Sequence, residues 1–190
     1  MLEIRIHGRG GQGNVVAAYL LATAAIGEGR YAQAFPAFGA ERRGAPVVAF
    51  TRIGTAPIHR RCQVLQPAFL IVQDRALLHV PGVLNGLKAG GGILVNANDR
   101  PDDEDLGDAD VVTLPATALA NEYLGRPVPN TALLAAFLSL TGMLPVAALT
   151  NALGERFTGK VLERNTALVE NAASQVDAGR WQEVAHAAGA

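Results

Sequence analysis

The segment from Leu2 to Gly27 constrains the fold more than any other. Leu2, Ile4 and Ile6 alternate with Glu3, Arg5 and His7, the period-two pattern of a strand with one apolar face. That strand runs directly into Gly8-Arg9-Gly10-Gly11-Gln12-Gly13, and a wholly uncharged stretch from Asn14 to Gly27 follows as a helix. Strand, glycine turn and helix in this order form the opening of an α/β sheet. The turn matches G-x-G-x-x-G in the context that the motif requires. Glycines tolerate positive φ and admit close backbone approach. The helix start then offers unpaired N–H groups and a partial positive charge to a phosphate or carboxylate, and Arg9 adds a cation at the same point.

Three readings of this loop stand side by side. A nicotinamide dinucleotide site, and with it a stand-alone NAD(P)-binding dehydrogenase, needs an acid about 20 residues on at the end of the second strand. Glu28 has the spacing, but it lies between Gly27 and Gly29 with no apolar strand before it. In the second reading Gly8, Arg9, Gly10, Gly11, Gln12 and Gly13 hold an anionic group. In the third the glycines only allow tight strand-to-helix packing, in a non-catalytic scaffold.

The remaining pattern extends the sheet. Tyr31 to Ala45 is rich in Gly, Pro and aromatics and reads as a long irregular connection, a kind that is usually functional or interfacial. Pro46 to Ile53 reads as a strand, with a short extended piece near Ile58. Phe69-Leu70-Ile71-Val72-Gln73 is a compact apolar run, a strand buried on both faces. Asp74 is placed to cap a helical stretch over 75–79. Pro81 to Lys88 reads as a helix, Gly92–Asn96 and Val111–Leu114 as strands, and 99–108 as a solvated acidic loop. Helices are expected over 116–123, 130–141, 146–156 and 159–178. The expected architecture is α/β: a largely parallel open sheet flanked by helices, Rossmann-like at its start, with a C-terminal helical segment. Residues 1–190 read as one domain, in which the 46–60 region pairs antiparallel.

Charge and cysteine usage narrow the function. The net charge of -1 gives no general reason to expect nucleic acid. Residues 1–61 nevertheless carry Arg5, Arg9, Arg30, Arg42, Arg43, Arg52, Arg60 and Arg61 against Glu3, Glu28 and Glu41. Arg suits bidentate anion contacts and buried interfaces better than Lys does. Cys62 is the one cysteine, so the chain has neither a disulfide framework nor a cysteine-based iron–sulfur site. The charged start lacks the apolar run of a signal peptide. The uncharged stretch from Arg126 to Glu155 is broken by Gly142 and Pro145, which leaves each helix too short to span a bilayer. A cytoplasmic chain with no membrane contact is expected.

The lesser candidates favour structural roles. His7 ends the first strand beside the glycine turn, where a satisfied structural histidine is the expectation ahead of a proton shuttle. His59, His79 and His186 lack metal-ligand spacing. Ser139 and Ser174 lie on expected helices with no nucleophile elbow. Asp74, Asn96 and Asn98 sit at strand ends, where open α/β sheets bind ligands.

Taken in order, the motifs define a resemblance. The glycine loop, Ala32-Gln33, Phe35-Pro36, Phe38-Gly39 and Glu41-Arg42-Arg43-Gly44-Ala45-Pro46-Val47 resemble the opening of the gamma subunit of pyruvate and related 2-oxoacid oxidoreductases. Pro129-Asn130-Thr131 resembles its Asn-Thr helix start. Glu155-Arg156-Phe157, Gly159-Lys160 and Asn165 resemble its C-terminal helix pattern. The likeness runs from Gly8 to about Asn171. It implies a complex that converts a 2-oxoacid and coenzyme A to an acyl-CoA and carbon dioxide, passing two electrons to ferredoxin or another acceptor. It further implies that thiamine diphosphate, Mg2+ and iron–sulfur clusters reside in partner chains, one thiamine-binding and one ferredoxin-like. This chain alone would then be inactive. On that footing the glycine loop contacts coenzyme A or a partner, and Glu41, Arg42, Arg43 and Gly44 form an intersubunit contact.

Overall fold

A computed structural model describes residues 1–37, 44–101 and 106–189. The strands are β1 (Leu2–Arg9), β2 (Tyr31–Pro36), β3 (Pro46–Gly54), β4 (Phe69–Val72), β5 (Gly92–Asn96) and β6 (Asp110–Leu114). The helices are α1 (Asn14–Gly27), α2 (Ala116–Leu124), α3 (Asn130–Thr141), α4 (Val146–Gly154), α5 (Gly159–Ser174) and α6 (Gln182–Ala187), with a 3-10 turn at Arg75–His79.

The strands form one sheet in the order β2-β3-β1-β4-β5-β6. β1, β4, β5 and β6 pair in parallel, with Ile6 opposite Ile71 and Leu70 opposite Ile93. β3 is antiparallel to both its neighbours, β1 and β2. The expected antiparallel strand over 46–53 therefore lies inside the sheet. β2, its hairpin partner, forms the edge and runs parallel to β1.

The alternation in β1 assigns the two faces. Leu2, Ile4 and Ile6 enter a core built with Phe69 and Ile71 of the sheet and with residues of all six helices. α3 is its centre: eleven of its twelve residues are buried, every one but Ser139, which accounts for the uncharged stretch in the sequence. A helix apolar all round must be enclosed. The opposite face, with Leu70, Val72, Ile93 and Val95, is closed by Leu77 and Leu78 of the 3-10 turn and by the turns that follow. Glu3, Arg5 and His7 point to this second face. There Arg52, fully buried, donates from Nε to Glu3 (2.8 Å) and from Nη2 to the Cys62 carbonyl (2.7 Å).

Four expectations need correction. The irregular connection begins later than expected, because Tyr31–Pro36 is strand β2; its alanines pack on α1 as small apolar residues do. Pro81–Lys88 forms turns instead of a helix. Gly82 and Gly86 both take positive φ, and a Cβ on Gly86 would lie 2.0 Å from the Leu65 carbonyl oxygen. No strand forms near Ile58. The last long helix stops at Ser174, and the chain turns back through Gly179 to place Trp181 in the core, stacked on Phe69 with ring centroids 5.4 Å apart.

Candidate functional site

The carboxyl end of the parallel strands is where an open α/β sheet places its ligands. Here β1, β4 and β5 deliver the glycine loop, Asp74 and Asn96 to one edge. The loop is closed by its own hydrogen bonds. The Arg9 N–H donates to Gln12 Oε1 (2.7 Å), and the Gln12 N–H donates to the Arg9 carbonyl (3.0 Å). Gly10 donates to the Ala45 carbonyl (3.1 Å), which ties the loop to the entry of β3. Asn14 is buried and donates from its side chain to the Val47 carbonyl (2.8 Å), so the first residue of α1 grips the same strand.

The glycines are needed for two different reasons. Gly11 and Gly13 have φ of 99° and 77°, a backbone region that side chains strain to occupy. At Gly13 space is also closed, since a Cβ would lie 2.7 Å from Asn130 Nδ2. That nitrogen donates to the Gly13 carbonyl (3.2 Å), while Asn130 Oδ1 accepts from the Thr131 N–H (2.8 Å). The Asn-Thr pair at the start of α3 is thereby latched onto the glycine loop, 117 residues away in sequence. The N-termini of α1 and α3 meet at this corner.

The amides decide what the corner can do. The N–H groups of Gly11, Gly13, Asn14, Val15 and Val16 have no acceptor among the described residues, and α1 has no side-chain cap. Gly11 is exposed. Unmet amides at a positive helix end suit an anion. Arg9 is already engaged: its Nε donates to Asp74, and Nη1 donates to the Gly44 carbonyl (3.2 Å). Asp74 also accepts from the Ala76 N–H (3.0 Å), the N-cap expected of it. Arg9 therefore braces the loop against β4, with its charge offset by Asp74.

The other candidates divide. Asn96 donates to the Gln73 carbonyl (2.9 Å) and caps α2 by accepting from the Thr117 N–H (3.1 Å). His7 is buried, with Nε2 unpartnered; desolvation first, then Arg5, lowers its pKa to about 3, so the ring is neutral at pH 7. Gly44 is exposed at φ 80°. Glu41, Arg42 and Arg43 lie outside the described residues. Glu28 caps the far end of α1. It is 14 residues from Asn14, roughly 20 Å at the helical rise, and precedes β2 instead of following it. The ribose-binding acid of a dinucleotide site is missing from that position. Two contributions to this part of the chain carry no local sequence signal: the closing of the loop by the Gln12 side chain and the burial of Gln73.

Fold and site together define a class: an α/β chain whose glycine loop is braced by its own residues and offers backbone amides, with no ribose acid in place. Residues 3–175 match the family described as pyruvate ferredoxin/flavodoxin oxidoreductase. The chain is 46% identical over 177 residues to the pyruvate synthase subunit PorC of Methanothermobacter thermautotrophicus, covering 93% of this chain and 97% of the relative. It is 45% identical over 176 residues to the common gamma subunit of the pyruvate/ketoisovalerate oxidoreductases of Thermococcus kodakarensis, covering 90% and 95%. The crystal structure of the pyruvate oxidoreductase subunit PORC of Thermotoga maritima superposes with a TM-score of 0.82 at 34% identity, covering 91% and 95%. The chain belongs to the pyruvate ferredoxin/flavodoxin oxidoreductase family, as a subunit of the gamma type.

Proposed function

We propose that this chain, as one unit over residues 1–190, is the gamma-type part of a thiamine-diphosphate-dependent complex that oxidatively decarboxylates a 2-oxoacid with coenzyme A, and that its glycine loop receives the phosphates of coenzyme A. The observation that carries the loop assignment is the set of unmet amides of Gly11, Gly13, Asn14, Val15 and Val16 at the junction of two helix starts.

The redox cofactors do not fit this chain. An iron–sulfur cluster is held by several cysteine thiolates, and Cys62 stands alone. Among the described residues, no group of three His, Cys, Asp or Glu side chains could hold a metal ion. In the proposed complex thiamine diphosphate, Mg2+ and the clusters belong to other subunits, one thiamine-binding and one ferredoxin-like, and the redox steps take place there. This chain's part is binding and orientation. The amides of the α1 start donate to phosphate oxygens. Asn130 fixes the Gly13 carbonyl so that the neighbouring N–H groups keep their direction. The Arg9–Asp74 pair sets the loop's height over the sheet. Glu41, Arg42, Arg43 and Gly44 form the adjoining contact with a partner chain. Among the described residues no helix is long and apolar enough to cross a membrane.

Replacing Gly13 by Ala tests the assignment. The added methyl pushes Asn130 aside and strains a φ of 77°. In the assembled enzyme, KM for coenzyme A rises about tenfold or more, while KM for the 2-oxoacid is unchanged. An assembly that forms normally with an unaltered KM for coenzyme A removes the loop from the binding site.

A further inference from the structure

The edge strand β2 is unguarded. Its sequence, Tyr31-Ala32-Gln33-Ala34-Phe35-Pro36, carries no charge. Exposed edges are normally protected by charged residues, bulges or a covering element, because their open backbone groups recruit another strand. Ala37 donates to the Val48 carbonyl (2.7 Å), and Tyr31, Gln33 and Phe35 stand opposite Gly54, Arg52 and Phe50. In an antiparallel ladder, bonded and non-bonded pairs alternate. Residues 31, 33 and 35 therefore bond inward to β3, and the N–H and C=O groups of Ala32 and Ala34 face outward. Those four groups have no partner among the described residues.

We infer that β2 pairs antiparallel with β2 of a second copy of this chain, about a two-fold axis at Gln33. This register is self-complementary. Ala32 of one copy bonds Ala34 of the other in both directions, and the mirror pair does the same, so all four outward groups are met. A shift of two residues leaves the ladder incomplete. It brings Pro36, which has no N–H, or Arg30, which precedes the strand, opposite an alanine. The same register sets Tyr31, half-exposed in the single chain, directly across from Phe35 of the second copy on the Gln33 face. Cross-strand aromatic pairs stabilise antiparallel ladders.

The helix beside this edge agrees. α1 packs on β2 and has no charged residue. Val16, Tyr19, Thr23 and Ile26 form an i, i+3, i+7, i+10 stripe on it, along which Tyr19 is 45% and Ile26 58% exposed. On this face of the strand the side chains are Ala32, Ala34 and Pro36, all small, which leaves room for the second copy's α1 to approach. An uncharged helix that packs on an uncharged edge strand adds exposed apolar side chains to the inferred contact.

The test uses the chain in the assembly with which it purifies. Gln33→Cys is made in a Cys62→Ser background. In the inferred register position 33 faces itself as a non-bonded pair, with Cα atoms about 4.5 Å apart, inside the range a disulfide bridges. Mild oxidation yields a band at twice the mass of this chain. Tyr31→Cys, whose counterpart is residue 35, gives none. Adding Ala34→Pro deletes an outward N–H, leaves the ladder to β3 intact and abolishes the band. Three results overturn the inference: an assembly that forms without the doubled band, a disulfide from residue 33 to a different subunit, or equal cross-linking from residue 31. None of them depends on coenzyme A binding, and loss of the partner subunits during purification is seen separately as missing bands.

Discussion

His7 lies within two residues of the glycine loop, yet its ring turns away to the second face of the sheet, beside Arg5. Burial there holds the imidazole neutral. The direction of the pH effect follows from comparing states. Unfolded, the ring titrates near 6.5; folded, it titrates at about 3. Between these values the unfolded chain binds the extra proton, so stability is complete above pH 6.5 and falls as pH drops toward 3. The limiting slope from this one group is about 1.4 kcal/mol per pH unit. Denaturant titrations of the native chain and of His7→Phe between pH 7 and pH 4 measure it. The substitution flattens the acid slope; identical slopes in the two proteins exclude His7 as its source. At this scale the sequence was informative where a residue acts through its neighbours in the chain. Gly11, Gly13 and the Asp74 cap follow from local backbone chemistry. The Arg9–Asp74 pair and the Asn130–Gly13 latch join residues 65 and 117 positions apart, and only the folded sheet brings them together.

Among the elements, the C-terminal turn and α6 close the main core with Trp181 and Ala185. Trp181 stacks on Phe69 and meets the edge of Phe137, and its indole N–H donates to Asp110 (2.8 Å). Gly92 makes room for it: a Cβ there would lie 2.7 Å from the indole. Trp181→Ala opens a cavity and removes the indole donor to Asp110, which keeps Arg180 (2.7 and 2.8 Å), at a cost of about 3–5 kcal/mol; Gly92→Ala costs about 1–3 kcal/mol by overpacking. Thermal melts of the two variants check the order, and a Trp181→Ala melt within about 2 °C of the parent contradicts this packing role. α6 lacks a long apolar period, and its anchor precedes its first turn, so the pattern of residues 175–189 did not announce it. β2 was hidden for a related reason. Its two inward apolar residues are alanines, too small to mark an alternation, and its chief energetic role lies along an edge. The strands buried on both faces, β4 and β5, were legible because their apolar runs are continuous.

At the scale of the whole molecule, the chain has the features of a part. Its core is complete, and its sheet is closed on both faces. The corner proposed to bind coenzyme A presents backbone donors, and among the described residues no group of three His, Cys, Asp or Glu side chains could hold a metal ion. The family was legible because its motifs fall at bends and helix starts, where the backbone demands particular residues. Substrate and acceptor were not, since in the proposed complex the surfaces that select them are built by other chains. Whether this chain works only inside a multi-subunit oxidoreductase is decided by native mass spectrometry of the chain purified through a single affinity tag. The account predicts a fixed-stoichiometry assembly containing a thiamine-binding subunit and a cysteine-rich ferredoxin-like subunit. A lone chain that oxidises a 2-oxoacid unaided would contradict it.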